Sequence, residues 1–519
     1  MAEDKAPKAE KKKPAPKEPS KQEKIMHVAM NRGFFYPSAE IYNPISGFWT
    51  YGHLGTRLKK AWEKLWRKHI VALSPDYYEI EDCNMMPKKV FESSGHLEHF
   101  NDPLTECEKC RMRYRADELV ENALKIDAEG LDAEALTKLI ADNKLACPKC
   151  SGKLGEARMF NMMFDIRVGA MGEETAYLRP ETAQSPYLAY KREYESLRKK
   201  IPFGLAVIGK AFRNEISPRQ GFFRLREFTQ AELQIFFNPD KINEAAGWDS
   251  VKDYRLRLFT VNEKKLVEVS CKSANDKLPK LYVYHMAKIQ QFYLDVLKVP
   301  EEKFRFRELS EKERAFYNKI HFDIELDLET LGGFKEVAGL HYRGDHDISG
   351  HMKGSKVNLE AMDDSNKKFV PHVLELSFGV DRNVWALMDL FYTEDGERNM
   401  FAFPAVVAPY DAAVFPLVNK ERLPEISRNV FDDLYNSGFM AFFDTSGSIG
   451  RRYRRQDEVG TKFGITVDFR TLEDETVTLR ERDSMLQRRI KVSELAAALH
   501  LLRTGQKKFG EVGEEIKKD

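Results

Sequence analysis

The chain has 519 residues, of which 42% are hydrophobic and 11% aromatic, and its formal net charge is +1. This length and composition support a large soluble enzyme with two or three domains. No apolar run reaches about 18 residues, which excludes a helix that crosses a membrane. The small net charge neither requires nor excludes a nucleic-acid partner, because local patches determine such binding.

Residues 1–24 are mostly lysine, alanine, proline and glutamate, without an apolar stripe. Such a segment cannot bury enough surface to order itself. It lacks the apolar centre of a signal peptide, and it contains the acidic residues that transit peptides avoid. We predict a disordered basic tail with weak, salt-sensitive affinity for RNA, and a merely solubilising tail is an equally good interpretation.

The first strongly periodic segment predicts an amphipathic helix followed by a strand-like segment that ends at Pro87. Its apolar positions are Leu54, Leu58, Ala61, Trp62, Leu65, Trp66 and Ile70.

Four of the six cysteines form two CxxC pairs, Cys107 with Cys110 and Cys147 with Cys150. Two such pairs offer four thiolates at the spacing of a tetrahedral Zn²⁺ site, although free thiols are an alternative. The residues between the pairs predict helices over 116–126 and, after an Asp132 cap, over 133–140. We therefore predict a structural zinc-binding insertion at 106–155.

The remaining cysteines, Cys83 and Cys271, are typical of ordinary thiols. This cysteine usage fits a reducing compartment and predicts a cytoplasmic location.

An antiparallel hairpin with a long loop is predicted next. The apolar run 205–209 leads into Arg213-Asn214-Glu215, the polar stretch 216–221 interrupts it, and strand-like residues resume over 222–237.

This hairpin carries residues suited to a nucleotide. Arg213 and Arg224 can offer bidentate guanidiniums to a polyphosphate, and Phe228 can offer an aromatic face to a base. The alternative is a solvated hairpin whose charges pair across the strands.

Residues 239–320 form an insertion rich in helical patterns, such as the one over 284–296. The segment 322–328 then alternates apolar and acidic residues, which predicts a strand of an antiparallel sheet open to a site on one face.

Further on, Gly379 lies at a strand-to-helix junction. Arg382 follows it in the first helical turns.

After Phe403-Pro404 the pattern alternates strands and helices, which indicates a small α/β domain with a mixed sheet over 403–506, followed by a tail at 507–519. The predicted elements are strands at 405–408, 412–417, 440–443 and 465–469 and a helix at 423–434. The basic run Arg451–Arg455 suggests RNA contact with Tyr453 available for base stacking, although a charge run is often only a solvated face.

Three of these elements resemble, in order, motifs 1, 2 and 3 of class II aminoacyl-tRNA synthetases: the helix and strand ending at Pro87, the hairpin, and the Ser377–Arg382 junction. Further segments resemble the homodimeric glycyl-tRNA synthetases: 43–55, 93–96, 179–184, 228–232, 339–345, 373–377 and 466–484. The resemblance covers about residues 25–506.

The resemblance implies an α+β fold: a class II antiparallel-sheet catalytic domain at 25–402 with helical and zinc-binding insertions, and a C-terminal α/β anticodon-binding domain. It implies a homodimer through the motif 1 region. The expected activity joins glycine to tRNA(Gly) with ATP through a glycyl-adenylate, releasing AMP and pyrophosphate. The 239–320 insertion could reach the tRNA acceptor stem or pack as scaffold.

The resemblance also assigns site residues. It names Arg213 and Arg382 as catalytic. The implied ATP-binding residues are Arg213, Asn214, Glu215, Phe223, Arg224, Leu225, Arg226, Glu227, Phe228, Glu336, Val337 and Arg382. The implied glycine-binding residues are Arg115, Glu181, Phe228, Thr229, Gln230, Ala231, Glu232, Glu375 and Ser377. The implied metal ligands are Cys107, Cys110, Cys147 and Cys150.

Within that set, Arg213 is expected at the α-phosphate, Arg224 and Arg382 at the outer phosphates, Phe228 under the adenine and Glu215 at the adenine amino edge. Mg²⁺ bridging the phosphates is expected, with Glu336 and Glu375 as candidate ligands. Each glutamate of the glycine site could instead pair with an arginine, for which Arg179, Arg226 and Arg343 are the candidates.

Two other hypotheses remain at this point. A noncatalytic synthetase-like paralogue would keep the fold but lose motif arginines, whereas Arg213, Arg224 and Arg382 are all present. A synthetase for another amino acid would need a deeper pocket.

Overall fold

The computed structural model describes residues 18–128, 130–218, 221–314, 318–396 and 398–516. Most of the predicted N-terminal tail, residues 1–17, lies outside these ranges. The predicted end of that tail is wrong, because helix α1 (Lys21–Arg32) begins at Lys21. A capping box starts this helix: Ser20 accepts a hydrogen bond from the backbone N–H of Glu23, whose side chain reaches back to Ser20.

The described residues form helices throughout the chain. After α1 these are α2 (His53–His69), α3 (Lys88–Ser93), α4 (His96–His99), α5 (Ala116–Leu124), α6 (Ala133–Asp142), α7 (Gln184–Ser196), α8 (Cys271–Ala274), α9 (Lys280–Gln291), α10 (His346–Ser355), α11 (Val380–Phe391), α12 (Leu423–Asn436), α13 (Ile449–Val459), α14 (Thr471–Asp474) and α15 (Val492–Arg503). None of them is long and apolar enough to span a lipid bilayer.

The strands of the first half are short except for one long hairpin. They are β1 (Phe35–Pro37), β2 (Trp49–Tyr51), β3 (Tyr77–Glu79), β4 (Met85–Pro87), β5 (Asn101–Glu106), β6 (Arg113–Arg115), β7 (Arg158–Asn161), β8 (Asp165–Val168), β9 (Glu174–Leu178), β10 (Phe203–Phe212), β11 (Glu227–Phe237), β12 (Arg255–Phe259) and β13 (Leu266–Ser270).

The second half completes the central sheet and forms a second sheet near the C-terminus. Its strands are β14 (Phe304–Glu308), β15 (Ile320–Leu328), β16 (Gly333–Gly344), β17 (Ala361–Met362), β18 (Lys368–Phe369), β19 (His372–Gly379), β20 (Tyr392–Asp395), β21 (Arg398–Phe401), β22 (Ala412–Pro416), β23 (Ala441–Phe443), β24 (Phe463–Val467), β25 (Thr476–Glu481), β26 (Gln487–Lys491) and β27 (Glu514–Glu515).

The central sheet has nine strands in the order β13-β12-β14-β15-β16-β19-β11-β10-β3. Neighbours are antiparallel except for the β12–β14 and β10–β3 pairs. The predicted hairpin is confirmed as β10 and β11, although its second strand begins at Glu227 rather than at Phe222. Strand β11 pairs with β19, which pairs with β16, so three long strands lie side by side in the middle of the sheet.

One face of these strands packs on helices α2 and α11. The predicted motif 1 helix is confirmed as α2, whose Trp62 and Trp66 have their ring centroids 6.1 and 6.0 Å from that of Phe378 on β19. Because side chains alternate along a strand, the residues between the buried apolar positions face the opposite side of the sheet. That opposite side carries the site.

The segment 239–320 is only partly helical, so its description as a helical insertion needs correction. It contains α9, as the 284–296 pattern indicates, but it also contributes β12, β13 and β14 to the central sheet. In β14 the phenylalanines Phe304 and Phe306 are buried and alternate with arginines, which is a strand pattern.

The Cys-rich insertion is a small folded unit. The two predicted helices are confirmed as α5 and α6, and the Asp132 side chain caps α6 by accepting a hydrogen bond from Ala135 N. Strands β6, β5 and β7 form its three-stranded sheet.

The C-terminal domain has a mixed six-stranded sheet in the order β23-β22-β24-β25-β26-β27. The predicted strand at 405–408 is wrong: it is a turn in which Val407 and Ala408 donate to the Pro404 carbonyl. Prolines at 404 and 409 bracket this run and cannot donate to a ladder. The boundary predicted at 506 is also too early, because Phe509 and Val512 are buried in this domain's core and β27 pairs with β26.

Candidate active site

A cavity of about 210 Å³ lies over the exposed face of β11, β16 and β19, closed on one side by the loop of the β10–β11 hairpin. Fourteen of the residues that the sequence suggested line it: Glu181, Arg213, Glu215, Phe223, Arg224, Leu225, Phe228, Thr229, Gln230, Glu232, Glu336, Glu375, Ser377 and Arg382. The sheet register explains part of this grouping, because Glu232 pairs directly with Ser377 across β11 and β19.

Two predicted residues face the wrong side of the sheet. Ala231 and Val337 are fully buried in the apolar core beneath the cavity. Each is a sequence neighbour of a lining residue, so the alternation of side chains directs it away. Ala231 and Val337 could therefore contact a bound molecule only through their backbone atoms.

Three further predicted residues do not line the cavity. Asn214 lies in a separate cleft on the other side of the hairpin. Arg226 is held by backbone carbonyls, with Nη2 2.8 Å from Glu215 O and Nη1 2.8 Å from Ser46 O. Glu227 forms a surface ion pair with Lys210, 3.1 Å away.

Arg115, predicted to bind glycine, lies outside the cavity that holds the glutamates. It forms ion pairs with Asp117 and with Asp102, the latter at 3.3 Å, and lines a neighbouring cleft between the Cys-rich insertion and the hairpin loop. The first turn of α5 supplies Asp117, so this arginine is held by its own insertion. A glycine-binding role for Arg115 is not supported by this position.

Several lining residues were absent from the predicted ATP-binding and glycine-binding sets, although Arg343 was a candidate partner of the glutamates: Asn318, His321, Ala338, His341, Arg343, Gly379 and Asp381. A signal for part of them was present, since His341 and Arg343 alternate with apolar or aromatic neighbours along one strand. Asp381 fixes the start of α11 to the sheet by accepting hydrogen bonds from Tyr51 OH and from the backbone N–H of Thr229.

At one end of the cavity the guanidinium of Arg213 is positioned between aromatic rings. Its Cζ atom is 5.3 Å from the ring centroid of Phe100 and 5.3 Å from that of Phe228, and its Nε donates to Pro180 O at 3.0 Å. Nε is thereby used for positioning, and the side chain lines the cavity. Arginine held in this way can present a fixed positive charge to a phosphate.

Two further arginines line the same end. Arg224 Nε lies 2.7 Å from Glu215 Oε2, so a carboxylate orients this guanidinium. Arg382, in the first turn of α11, lies 2.9 Å from Glu336 Oε2, and its Cζ is 5.2 Å from the ring centroid of Phe223. Three guanidiniums and two phenylalanine faces within one cavity suit a nucleoside polyphosphate.

The other end of the cavity is acidic, and Glu375 there is fully paired. Arg343 Nη1 lies 3.2 Å from Glu375 Oε2, Gln234 donates to the same oxygen at 2.7 Å, and His341 Nδ1 donates to Oε1. Burial raises the pKa of Glu375, but Arg343 and His341 outweigh burial and hold it at about 2. The arginine alternative is thus realised here, and both oxygens are occupied, so Glu375 is not placed to bind Mg²⁺.

Glu181 is also supported. Its Oε1 atom is 3.1 Å from Gln184 Nε2, 3.3 Å from His96 Nε2 and 4.0 Å from Arg343 Nη2. Burial alone would raise the pKa of Glu181, yet His96 and Arg343 hold it well below its usual range. Arg343 is itself shared, because it also binds Asp347 through two hydrogen bonds.

Among the described residues, Glu232 differs from the other two glutamates because its side chain accepts hydrogen bonds from hydroxyl groups alone. Ser377 Oγ donates to Oε1 at 2.6 Å, and Thr182 Oγ1 donates to Oε2 at 2.7 Å. Burial, together with the charges of Glu375 and Glu181, raises the pKa of Glu232 to about 8. The acidic end therefore has one carboxylate that needs either a proton or a cation.

Comparisons with known proteins agree with this geometry. A family profile described as "tRNA synthetase class II core domain (G, H, P, S and T)" matches residues 167–391, and one described as "Anticodon binding domain" matches residues 411–501. The glycine–tRNA ligase of Thermococcus kodakarensis is 38% identical, covering 93% of this chain and 99% of that protein. The chain belongs to the glycine–tRNA ligase family.

Other members of the family show the same breadth of similarity. The glycine–tRNA ligase of Methanothermobacter thermautotrophicus is 36% identical over 93% of this chain and 99% of its own, and that of Aeropyrum pernix is 37% identical over 92% and 96%. The predicted class II core with an anticodon-binding domain is thereby confirmed. The activity is the ATP-dependent attachment of glycine to tRNA.

The Cys-rich insertion of this family member holds a candidate metal centre. The four Sγ atoms of Cys107, Cys110, Cys147 and Cys150 lie within 4.8 Å of one another, and the Cys107–Cys150 and Cys110–Cys147 pairs are 3.6 Å apart. A tetrahedral ion with metal–sulfur bonds of about 2.3 Å requires sulfur atoms about 3.8 Å apart. The four ligands fit a closed, structural site.

The basic run of the anticodon-binding domain is organised differently from the prediction. Residues 451–455 lie on α13, where Arg452 is 1% exposed and donates to backbone carbonyls such as Leu417 O. Tyr453 is packed inside, with its hydroxyl 2.6 Å from Thr466 Oγ1 and Arg480 above its ring. The prediction that Tyr453 is available for base stacking is wrong, because the face of the helix that carries Arg452 and Tyr453 packs against the domain.

Proposed function

We propose that glycine binds at the acidic end of the cavity with its ammonium on Glu232, and that ATP lies along Arg213, Arg224 and Arg382. The observation that supports this placement is the unbalanced carboxylate of Glu232. Glu181 and Glu375 already have cationic or hydrogen-bonding partners, so an entering ammonium gains most at Glu232. Glycine supplies that cation together with a carboxylate that can point toward the arginines.

Adenylate formation then requires the glycine carboxylate oxygen to attack the α-phosphorus while pyrophosphate leaves. No side-chain nucleophile takes part in the proposed step, and fixed guanidiniums stabilise the charge that develops. Arg213 is assigned to the α-phosphate, because aromatic rings and the Pro180 carbonyl hold it in place. Arg224 and Arg382 are assigned to the outer phosphates.

The base is assigned to the aromatic wall, with Phe228 under the adenine and Glu215 near its amino edge. Mg²⁺ belongs to the proposal, since it would neutralise part of the phosphate charge when bound. Of the two glutamates suggested for it, Glu336 is exposed and uses Oε2 for Arg382, so it could still provide an oxygen. In the second step a ribose hydroxyl of tRNA attacks the adenylate carbonyl, and AMP leaves.

Further parts of the proposal concern the whole molecule. Zn²⁺ is the proposed ion of the four-cysteine site, and the division into catalytic domain, Cys-rich insertion and anticodon-binding domain follows the sequence boundaries as corrected above.

A homodimer through the motif 1 region is proposed, but the apolar face of α2 is used within the chain. Exposed Ile41, Tyr42 and Ile45, in the loop before α2, are the better candidates for a dimer contact. A cytoplasmic location is proposed because none of the six cysteines forms a disulfide.

ATP–pyrophosphate exchange with glycine, alanine and serine tests the function directly. We expect exchange with glycine alone, because a methyl group would press against Ser377 or displace the ammonium from Glu232. Ser377→Gly should admit alanine and raise the KM for glycine modestly, since Glu232 loses a 2.6 Å hydrogen bond. Equal exchange of alanine and glycine by the wild type would refute the proposed pocket. An unchanged ratio in Ser377→Gly would place its wall elsewhere.

Cys147→Ser should release the metal and loosen the insertion. We expect metal analysis to find about one zinc per wild-type chain and much less in the variant, because structural sites depend on all four ligands. Charging of tRNA should fall more than pyrophosphate exchange. Cys83→Ser is the matched control, since Cys83 is an exposed thiol outside the cluster. Purified wild type without zinc would show the assignment to be wrong.

A further inference from the structure

Glu118 connects the Cys-rich insertion to the proposed nucleotide site. It lies in the first turn of α5, and its Oε1 atom is 3.0 Å from Arg224 Nη1. Arg224 lines both the active-site cavity and the cleft between the hairpin loop and the insertion. One guanidinium therefore bridges Glu215 in the cavity and Glu118 on the insertion.

The local charges make this bridge easy to break when a further anion arrives. Four carboxylates surround two arginines here: Asp102, Asp117, Glu118 and Glu215 lie around Arg115 and Arg224. Burial is the largest influence on Asp102, and it raises the pKa of Asp102 with help from Asp117 and Glu215. Glu118 is the most exposed of these four carboxylates, with 48% of its side chain exposed. A polyphosphate that enters this acidic region would compete with Glu118 for Arg224.

Glu118 also has a second partner available. Arg115 Nε lies 3.6 Å from the same Oε1 atom. A carboxylate that leaves Arg224 can thus remain ion-paired without crossing open solvent. The hairpin loop keeps a separate link to the insertion, because Ser217 Oγ donates to Arg113 O at 2.8 Å.

We propose that Glu118 is a positioning residue that occupies Arg224 in the absence of ATP and is displaced by the outer phosphates, so that ATP binding releases α5 of the Cys-rich insertion from the active site. This inference rests on the assignment of Arg224 to ATP. It makes the insertion sensitive to whether the nucleotide is bound. Through the insertion, the binding of ATP would then affect the part of the enzyme that receives the second substrate.

Glu118→Gln provides the first test. Removing the competing anion should lower the KM for ATP by about two- to fivefold, the range expected for a partly exposed ion pair. The affinity for AMP should not change, because its single phosphate is assigned to Arg213. Glu134→Gln on α6 removes an equal charge from an exposed position of the same insertion and should alter neither value. A KM for ATP that rises or stays constant in Glu118→Gln overturns the proposal, because a purely structural residue would behave in that way.

Amide hydrogen exchange of residues 116–124 gives a second test, and its first measurement uses the wild type alone. In the wild type, saturating ATP should increase exchange in α5, whereas saturating AMP should not. In Glu118→Gln, exchange should already be high and insensitive to ATP. No response of α5 to ATP in the wild type overturns the proposal. Arg224→Gln tests separately whether Arg224 binds ATP. If this variant leaves the KM for ATP unchanged, the assignment of Arg224 to ATP fails, whatever Glu118 does.

Discussion

Arg213→Gln should lower ATP–pyrophosphate exchange by about two to three orders of magnitude, with little change in thermal stability. A fixed positive charge at the reacting phosphate acts mainly on the transition state, and losing one such group costs about 3 kcal/mol of barrier. The KM for ATP should change less than kcat for the same reason. The side chain also packs between two aromatic rings, so the glutamine variant keeps part of its apolar contacts.

Two further variants make this experiment specific. Arg192→Gln on α7 is the matched control, because it removes an exposed arginine that does not line the cavity. Arg213→Lys keeps the charge but loses the planar fork and should fall between the wild type and the glutamine variant. Exchange by Arg213→Gln within threefold of the wild type would exclude a role at the α-phosphate.

The central part of the fold was predictable because its patterns are local. Leu54, Leu58, Trp62 and Trp66 recur at helical spacing, and β11 alternates apolar residues with the polar ones that line the cavity. The four cysteines were predictable for a similar reason, since a CxxC spacing already fixes two thiols near each other. These features depend on residues that are neighbours in sequence.

The errors arose where the answer depends on partners distant in the chain. Ala231 and Val337 were predicted to bind a substrate because their neighbours in sequence line the cavity. The alternation of side chains along a strand places both of them in the core instead. Nothing in the sequence near Arg115 showed that Asp102 and Asp117 would hold it in a neighbouring cleft, outside the cavity that contains the three glutamates. Tyr453 stood among arginines that suggest RNA, but Thr466, thirteen residues later, binds its hydroxyl.

The three glutamates show the same limit at the site itself. The sequence indicated that they belong to one site but not which partner each one has, because His341 and Arg343 come from β16 whereas His96 comes from α4. Only the folded arrangement shows that Glu375 and Glu181 have Arg343 as a partner, while Glu232 has, in the described part of the chain, hydroxyl partners alone. This difference assigns separate roles to three residues of one type.

Glycine binding should therefore be coupled to the release of a proton. The pKa of Glu232 is about 8 in the free cavity, so this carboxyl is mostly protonated at pH 7, whereas an ammonium partner requires its anionic form. Affinity for glycine should rise as the pH increases from 6 to 8, by at most about tenfold per pH unit, and should level off above pH 8. Calorimetry in buffers of different ionisation enthalpy should find nearly one proton released per glycine at pH 7.

Glu232→Gln should abolish this pH dependence and weaken glycine binding by at least about a hundredfold, because the buried ammonium would lose its proposed carboxylate partner while Glu181 and Glu375 stay paired with Arg343. Glu92→Gln, a surface position paired with Lys88, is the matched control and should retain both the affinity and the pH profile. A pH profile that persists in Glu232→Gln would assign the proton to another group. Binding that survives in Glu232→Gln at wild-type strength would mean that the ammonium lies on Glu181 or Glu375, and that one of their present partners moves aside when glycine enters.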